Sequence, residues 1–239
     1  MIAPALLLVL AASGGRGYVV DPPLPKATIA VFGDSIYSGV QGVMISSKLD
    51  QSLPEGYVAV NQAVSGTTAH EIATRMITIM DTACLGGPCG TYVIGGPVNT
   101  LKSDDFIWET DDNYIVQYAL HGVGPILGIM DGIDKIHNRH PKAKVIAVGV
   151  LHYAGCQPGM CSPLSLVRAK ERVEAYNAAF LAECDARPWL RCTSPAAEFE
   201  DPENPGHLRP DLVSDDGLHP NGEGHGQLTL RIREKRIWP

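Results

Sequence analysis

A serine, a histidine and an aspartate stand out for what they could do together. Ser35 lies in "IAVFGDSIYSG" (29–39), where an apolar run ends on Gly-Asp-Ser, and Asp216 and His219 lie three residues apart in "SDDGLHPNGEGH" (214–225). A serine hydroxyl is a poor nucleophile until a base within reach takes its proton, and that base needs a group to orient it. The spacing lets one loop or helical turn set the Asp216 carboxylate against one imidazole nitrogen of His219, leaving the other nitrogen for a hydroxyl. Each part also has a plainer reading. Gly, Asp and Ser favour turns, a serine ahead of a helix is a common cap, and a histidine in a Pro/Gly-rich loop is usually a surface residue. Taken alone, Ser35 reads as a cap.

The elements that must position these residues follow from the apolar pattern. Five short β-rich runs occur, at 27–32, 57–62, 91–96, 144–151 and 189–194. Helical composition marks Ser38 to Leu53, Asn113 to Asn138, 163–184 and a last stretch following "HPNGEGHGQLTLRIREKR". Strands apolar on both faces, alternating with helices, predict a parallel sheet covered on each side. Ligands of such folds collect beyond the carboxyl ends of the strands, and Ser35 sits just past the first. A helix starting there would aim backbone N–H groups at an oxyanion formed when the serine attacks a carbonyl.

Composition bounds the context. With 239 residues, 45% hydrophobic and 19% charged, the chain suits one sizeable globular domain. A net charge of -7 with no Lys/Arg-rich run sets nucleic acid aside as a partner. The apolar run Ile2 to Ala12, followed by Ala-Ser-Gly-Gly, reads as a signal peptide over 1–17, although no basic residue precedes it, and it is too short to span a bilayer. The single domain is then 18–239. Six cysteines fall in three close couples, Cys84 with Cys89, Cys156 with Cys161, and Cys184 with Cys192. About 15 pairings are open to six cysteines; local closure within each couple is the simplest. No couple has zinc-ligand spacing, so an exported protein in an oxidising compartment is the expectation.

Gly33-Asp34-Ser35 near the N-terminus and Asp216-Gly217-Leu218-His219, followed by Pro-Asn, near the C-terminus together resemble the SGNH (GDSL-like) hydrolases. The resemblance runs from about Ala27 into the final helix, and "NQAVSG" supplies Asn61 and Gly66 for the family's second block. It implies a three-layer α/β/α sandwich with a central parallel sheet of about five strands, flavodoxin-like in topology. It also implies a serine esterase with Ser35 as nucleophile, His219 as base and Asp216 orienting it. The Ser35 N–H, the Gly66 N–H and an asparagine side chain would hold the oxyanion, with no metal or organic cofactor. The expected substrate is a small ester or an acylated carbohydrate or lipid. Removal of acetyl groups from carbohydrates is weighed against a short-chain lipase, lysophospholipase or thioesterase activity, and against a non-catalytic secreted carbohydrate-binding protein. Oligomeric state is not readable.

The third block departs from the family pattern Gly-x-Asn-Asp. Here the chain reads Gly95, Gly96, Pro97, Val98, Asn99 and then Thr100 where an aspartate is expected. Asn99 is the candidate third oxyanion donor, with a turn asparagine as the rival reading. Asp34 is read as supporting the turn. A Gly-x-Ser-x-Gly elbow is excluded because Tyr37 stands at the second glycine. A phosphate- or cofactor-binding loop lacks its lysine and glycine run. His137 and His140 read as a solvated helix end and His225 as helix surface. Phe106, Trp108 and Tyr114 could overhang the site or pack on the core.

Overall fold

The computed structural model describes residues 27–40, 44–84, 86–102, 111–151, 163–203 and 208–235. The five expected strands are present as β1 (Ala27–Phe32), β2 (Tyr57–Asn61), β3 (Thr91–Ile94), β4 (Lys144–Val148) and β5 (Leu190–Thr193). They form one sheet in the order β2-β1-β3-β4-β5, every pairing parallel, with Ile29 opposite both Ala59 and Thr91. β1 and β3 are buried nearly throughout, as continuous apolar strands covered on two faces must be.

The helices are α1 (Ser35–Ser38), α2 (Ile45–Asp50), α3 (Ala69–Ile79), α4 (Val98–Lys102), α5 (Asp112–His121), α6 (Ile129–Arg139), α7 (Pro163–Asp185), α8 (Ala196–Phe199) and α9 (Gly222–Glu234). Around the sheet, α2 packs against α9, α3 against α6, and α5 against α7. This is the three-layer α/β/α arrangement with a parallel sheet that the sequence predicts. No described helix is long and apolar enough to cross a membrane.

Three expectations change in detail. The long helix over 113–138 is two helices, α5 and α6. The chain reverses between them at Gly122, whose φ of 66° is left-handed and where a Cβ would lie 1.8 Å from the Ile126 carbonyl oxygen. The helix over 38–53 is likewise divided, because α1 closes after one turn at Gly39 and α2 begins only at Ile45. An unanticipated helix, α3, follows β2; its capping box pairs the Thr68 hydroxyl with the Glu71 N–H, and the Glu71 carboxylate with the Thr68 N–H.

Because the sheet order places β1 between β2 and β3, the connection after β1 goes to one side of it and the next crosses back to the other side. The crevice at the carboxyl ends of β1 and β3 is therefore the topological switch point of the fold. Ser35 follows β1 directly and Asn99 follows β3, so both lie at that crevice.

Candidate active site

The turn after β1 is built by Asp34, not by Ser35. Asp34 is the N-cap of α1: its Oδ1 accepts the Ile36 N–H at 3.0 Å. The capping reading of Ser35 is thereby overturned. As the first helical residue, with 6% of its surface exposed, Ser35 is free to point its hydroxyl elsewhere.

Its partner comes from 184 residues away. Ser35 Oγ lies 2.9 Å from His219 Nε2, and His219 Nδ1 lies 2.7 Å from Asp216 Oδ2. Asp216 Oδ1 also accepts the Leu218 and His219 N–H groups at 2.9 Å each, and the Ser214 hydroxyl lies 2.8 Å away. Burial pushes the Asp216 carboxyl up, but the His219 backbone and ring, the Leu218 N–H and the Ser214 hydroxyl outweigh it and hold it well below the usual range. An ionised carboxylate only accepts, so Nδ1 carries the imidazole proton. Nε2 then presents its lone pair to the Ser35 hydroxyl, which donates to it.

Other hydrogen bonds tie the loops of this crevice together. Asp34 Oδ2 accepts the Val98 N–H at 3.1 Å, joining the turn after β1 to the start of α4. The Val64 N–H donates to the Gly33 carbonyl at 3.1 Å, bringing in the loop after β2. Asn99 Nδ2 donates to the Thr67 carbonyl at 3.1 Å, beside Gly66. Gly66 has φ 79° with nothing within 4 Å of where a Cβ would be, so glycine is needed there for conformation and not for space. The amide of Asn99 retains a second N–H beyond the one given to Thr67. Thr100, at the position where the family has aspartate, accepts the Ala69 N–H at 2.7 Å through its hydroxyl and so secures the first turn of α3.

Sequence reasoning missed how deeply some supporting groups are buried. Asp34 is fully buried, and that burial raises its pKa to about 7 against the opposing Ile36 and Val98 N–H groups and the nearby Lys102. Asn177 of α7 holds the chain beyond β4 by a paired contact, accepting the Val150 N–H and donating to the Val150 carbonyl, both at 2.8 Å. His225 is not helix surface: it is fully buried, with Nε2 2.9 Å from the Ile36 carbonyl oxygen. The signal was available, since Leu228 and Ile232, on the same helical face at i+3 and i+7, are also fully buried. His137 and His140 have their contacts elsewhere. His137 stacks on Trp189 with ring centroids 3.7 Å apart, and His140 Nε2 approaches Asp81 at 2.9 Å. Tyr114 is exposed and stacks on Tyr118, whereas Phe106 and Trp108 lie outside the described residues.

Disulfides join Cys84 to Cys89 and Cys184 to Cys192, as local closure predicts. Cys156, Cys161 and the 1–17 segment lie outside the described residues.

Comparison with known proteins bears on the fold and the family. Among curated proteins none matches the sequence. The fold is shared with a GDSL-like lipase from Bacteroides thetaiotaomicron at 18% identity and a TM-score of 0.59, covering 87% of this chain and 86% of that one. It is also shared with a family 3 carbohydrate esterase from Clostridium thermocellum at 16% identity and a TM-score of 0.57, covering 87% of this chain and 94% of that one. At such identities the likeness speaks for the fold alone. The model of the GDSL-like lipase/acylhydrolase family matches residues 31–227, a span that includes Ser35, Asp216 and His219. The chain belongs to the GDSL-like lipase/acylhydrolase family and is a carboxylic ester hydrolase.

Proposed function

We propose that this protein is an exported serine esterase that removes small acyl groups, acetyl above all, from carbohydrates. The observation that carries the reading is the unbroken hydrogen-bonded chain from Ser35 through His219 to Asp216. His219 Nε2 takes the Ser35 proton as Oγ attacks the ester carbonyl, and Asp216 stabilises the imidazolium that forms. The Ser35 and Gly66 N–H groups and the second N–H of Asn99 receive the oxyanion. The imidazolium then returns its proton to the departing alcohol, leaving an acyl-enzyme. Water, deprotonated by the same nitrogen, attacks that ester and releases the acid, restoring Ser35.

Export is supported by the apolar run Ile2 to Ala12 within the 1–17 segment and by two local disulfides, which persist in oxidising compartments. The carbohydrate preference rests on export, which favours an acylated polysaccharide as substrate; the fold is shared with a carbohydrate esterase and with a GDSL-like lipase alike. The test is an activity panel of acetylated oligosaccharides against p-nitrophenyl esters of graded chain length. Release of acetate from the glycans, with p-nitrophenyl activity falling steeply beyond acetate, is the expected result. Activity that climbs with chain length would assign the enzyme to lipid acyl esters instead. Binding of the glycans without hydrolysis of any ester would make it a carbohydrate-binding protein.

A further inference from the structure

One buried titratable group near the crevice has no part in the reaction as written. His225 lies one turn into α9 with no exposed surface. Its two ring nitrogens each face a backbone carbonyl: Nε2 is 2.9 Å from Ile36 O, and Nδ1 is 2.9 Å from Asn221 O. A neutral imidazole has one N–H and can donate to only one of them. Burial favours the neutral ring, the nearby His219 and Lys48 push the same way, and the two carbonyls oppose.

The two carbonyls are not equivalent. Asn221 O already accepts the His225 backbone N–H at 2.9 Å as a rung of the α9 ladder. Ile36 O belongs to a one-turn helix, whose last carbonyls have no continuing ladder to accept from. The single proton satisfies more on Nε2. With it there, the residue after the nucleophile is gripped on both sides, its N–H by Asp34 Oδ1 and its carbonyl by His225.

The other end of the grip leads to the base. Asn221 caps α9 by accepting the Glu223 and Gly224 N–H groups, and it donates to the Asp211 and Val213 carbonyls of the segment that leads into the His219 loop. A rigid path therefore runs from that loop through Asn221 and the first turn of α9 to Ile36, parallel to the Ser35–His219 contact. We propose that His225 is a positioning residue: its Nε2–H holds the Ile36 carbonyl and thereby keeps the Ser35 hydroxyl within reach of His219. The proposal rests on the serine-esterase reading.

The test exploits side-chain length. Glutamine can place an amide N–H where Nε2 stands, whereas asparagine reaches only the Nδ1 position. On p-nitrophenyl acetate, His225→Asn is expected to lower kcat at least about tenfold with KM within about threefold, as loss of alignment does. His225→Gln should recover kcat to within about threefold of the parent. An Asn variant as active as the parent, or a Gln variant no better than Asn, would overturn the proposal. A separate readout uses the parent protein: imidazole 15N shifts should report an Nε2–H tautomer for His225, and an Nδ1–H tautomer would overturn the assignment whatever the variants do. Ser35→Ala, run alongside, keeps the two claims apart. If it hydrolyses at the parent rate the esterase reading fails, but if it is inactive while His225→Asn is not, only this inference fails.

Discussion

The two ends of the parallel sheet are built from different materials. At the amino end, before β3, the Cys84–Cys89 disulfide closes a short loop. The Tyr92 hydroxyl donates to the Met80 carbonyl and accepts the Cys89 N–H. Cys184–Cys192 joins the end of α7 to β5, and Arg187 forks onto Asp134 of α6. Every one of these contacts closes a loop or ties neighbouring elements. At the carboxyl end, buried or half-buried polar side chains join loops far apart in the chain: Asp34 to Val98, His225 to Ile36, His219 to Ser35. Polar groups buried in this way stabilise little for what their desolvation costs. The amino end holds the sheet together, and the carboxyl end holds a geometry.

That division predicts variants with crossed effects. The largest concerns Ser35→Ala or His219→Ala, each of which should lower kcat/KM on p-nitrophenyl acetate by about 10⁴- to 10⁶-fold. Melting should stay within a few degrees of the parent, because either change removes a hydrogen bond without opening the core. A variant that melts far earlier would mean that these side chains serve folding, and the contrast between the two ends would be lost.

Asp34 tests the same contrast through pH. Its pKa, about 7 against an ordinary 3.8, means that the folded chain binds a proton the unfolded chain releases. Stability from this group is fully present below about pH 4 and is lost as pH rises toward 7. The unfolding free energy of the parent relative to Asp34→Asn should therefore drop by something on the order of 4 kcal/mol between pH 4 and 8. A difference flat across that range would show that its two N–H partners keep the carboxylate ionised. Asp216, held low, has the opposite sign: its contribution is present above its ordinary value and lost only in acid.

Asn99 sharpens the account of the altered third block. If its free N–H receives the oxyanion, Asn99→Ala lowers kcat by about 10²- to 10³-fold. Its bond to the Thr67 carbonyl gives the rival outcome, a loop anchor whose loss raises KM and leaves kcat nearly unchanged. The two outcomes separate in one set of initial-rate curves.

How much of this was legible depended on whether a local pattern carried the information. All five strands were: β1, β3 and β4 as apolar runs buried on both faces, and the half-buried edge strands β2 and β5 as short β-rich stretches bounded by turn residues. β3 and β4 end two and three residues before their apolar runs do, since Gly95-Gly96 and Gly149-Val150-Leu151 turn into the crevice. The division of 113–138 was marked by Gly122, Gly124 and Pro125, and α3 by Thr68 and Glu71, so both were readable in principle. The turn-supporting role of Asp34 was legible too, but its reach to Val98 and the role of Thr100 were not. A cap that also reaches Val98, 64 residues on, and a hydroxyl that secures a helix 31 residues back are tertiary facts with no local signature. The family pattern pointed to an aspartate at position 100, but nothing nearby in sequence said what a threonine would do instead.

The smallest effect belongs to the amino end and completes the cross. Cys84→Ala with Cys89→Ala removes a link across a separation of only five residues. Constraint of so short a loop in the unfolded chain contributes about 2 kcal/mol, which for a chain of this size lowers Tm by about 4–8 °C. The β1–β3 ladder and the Tyr92 hydroxyl bond to the Met80 carbonyl do not depend on the sulfurs. The sheet therefore keeps its register, and kcat/KM stays within about twofold of the parent. A fall in kcat comparable to that of His225→Asn would show instead that slack at the amino end is transmitted along β3 to Asn99. The two ends would then be one mechanical unit, because β3 is the element that carries both the Tyr92 anchor and the start of the oxyanion loop.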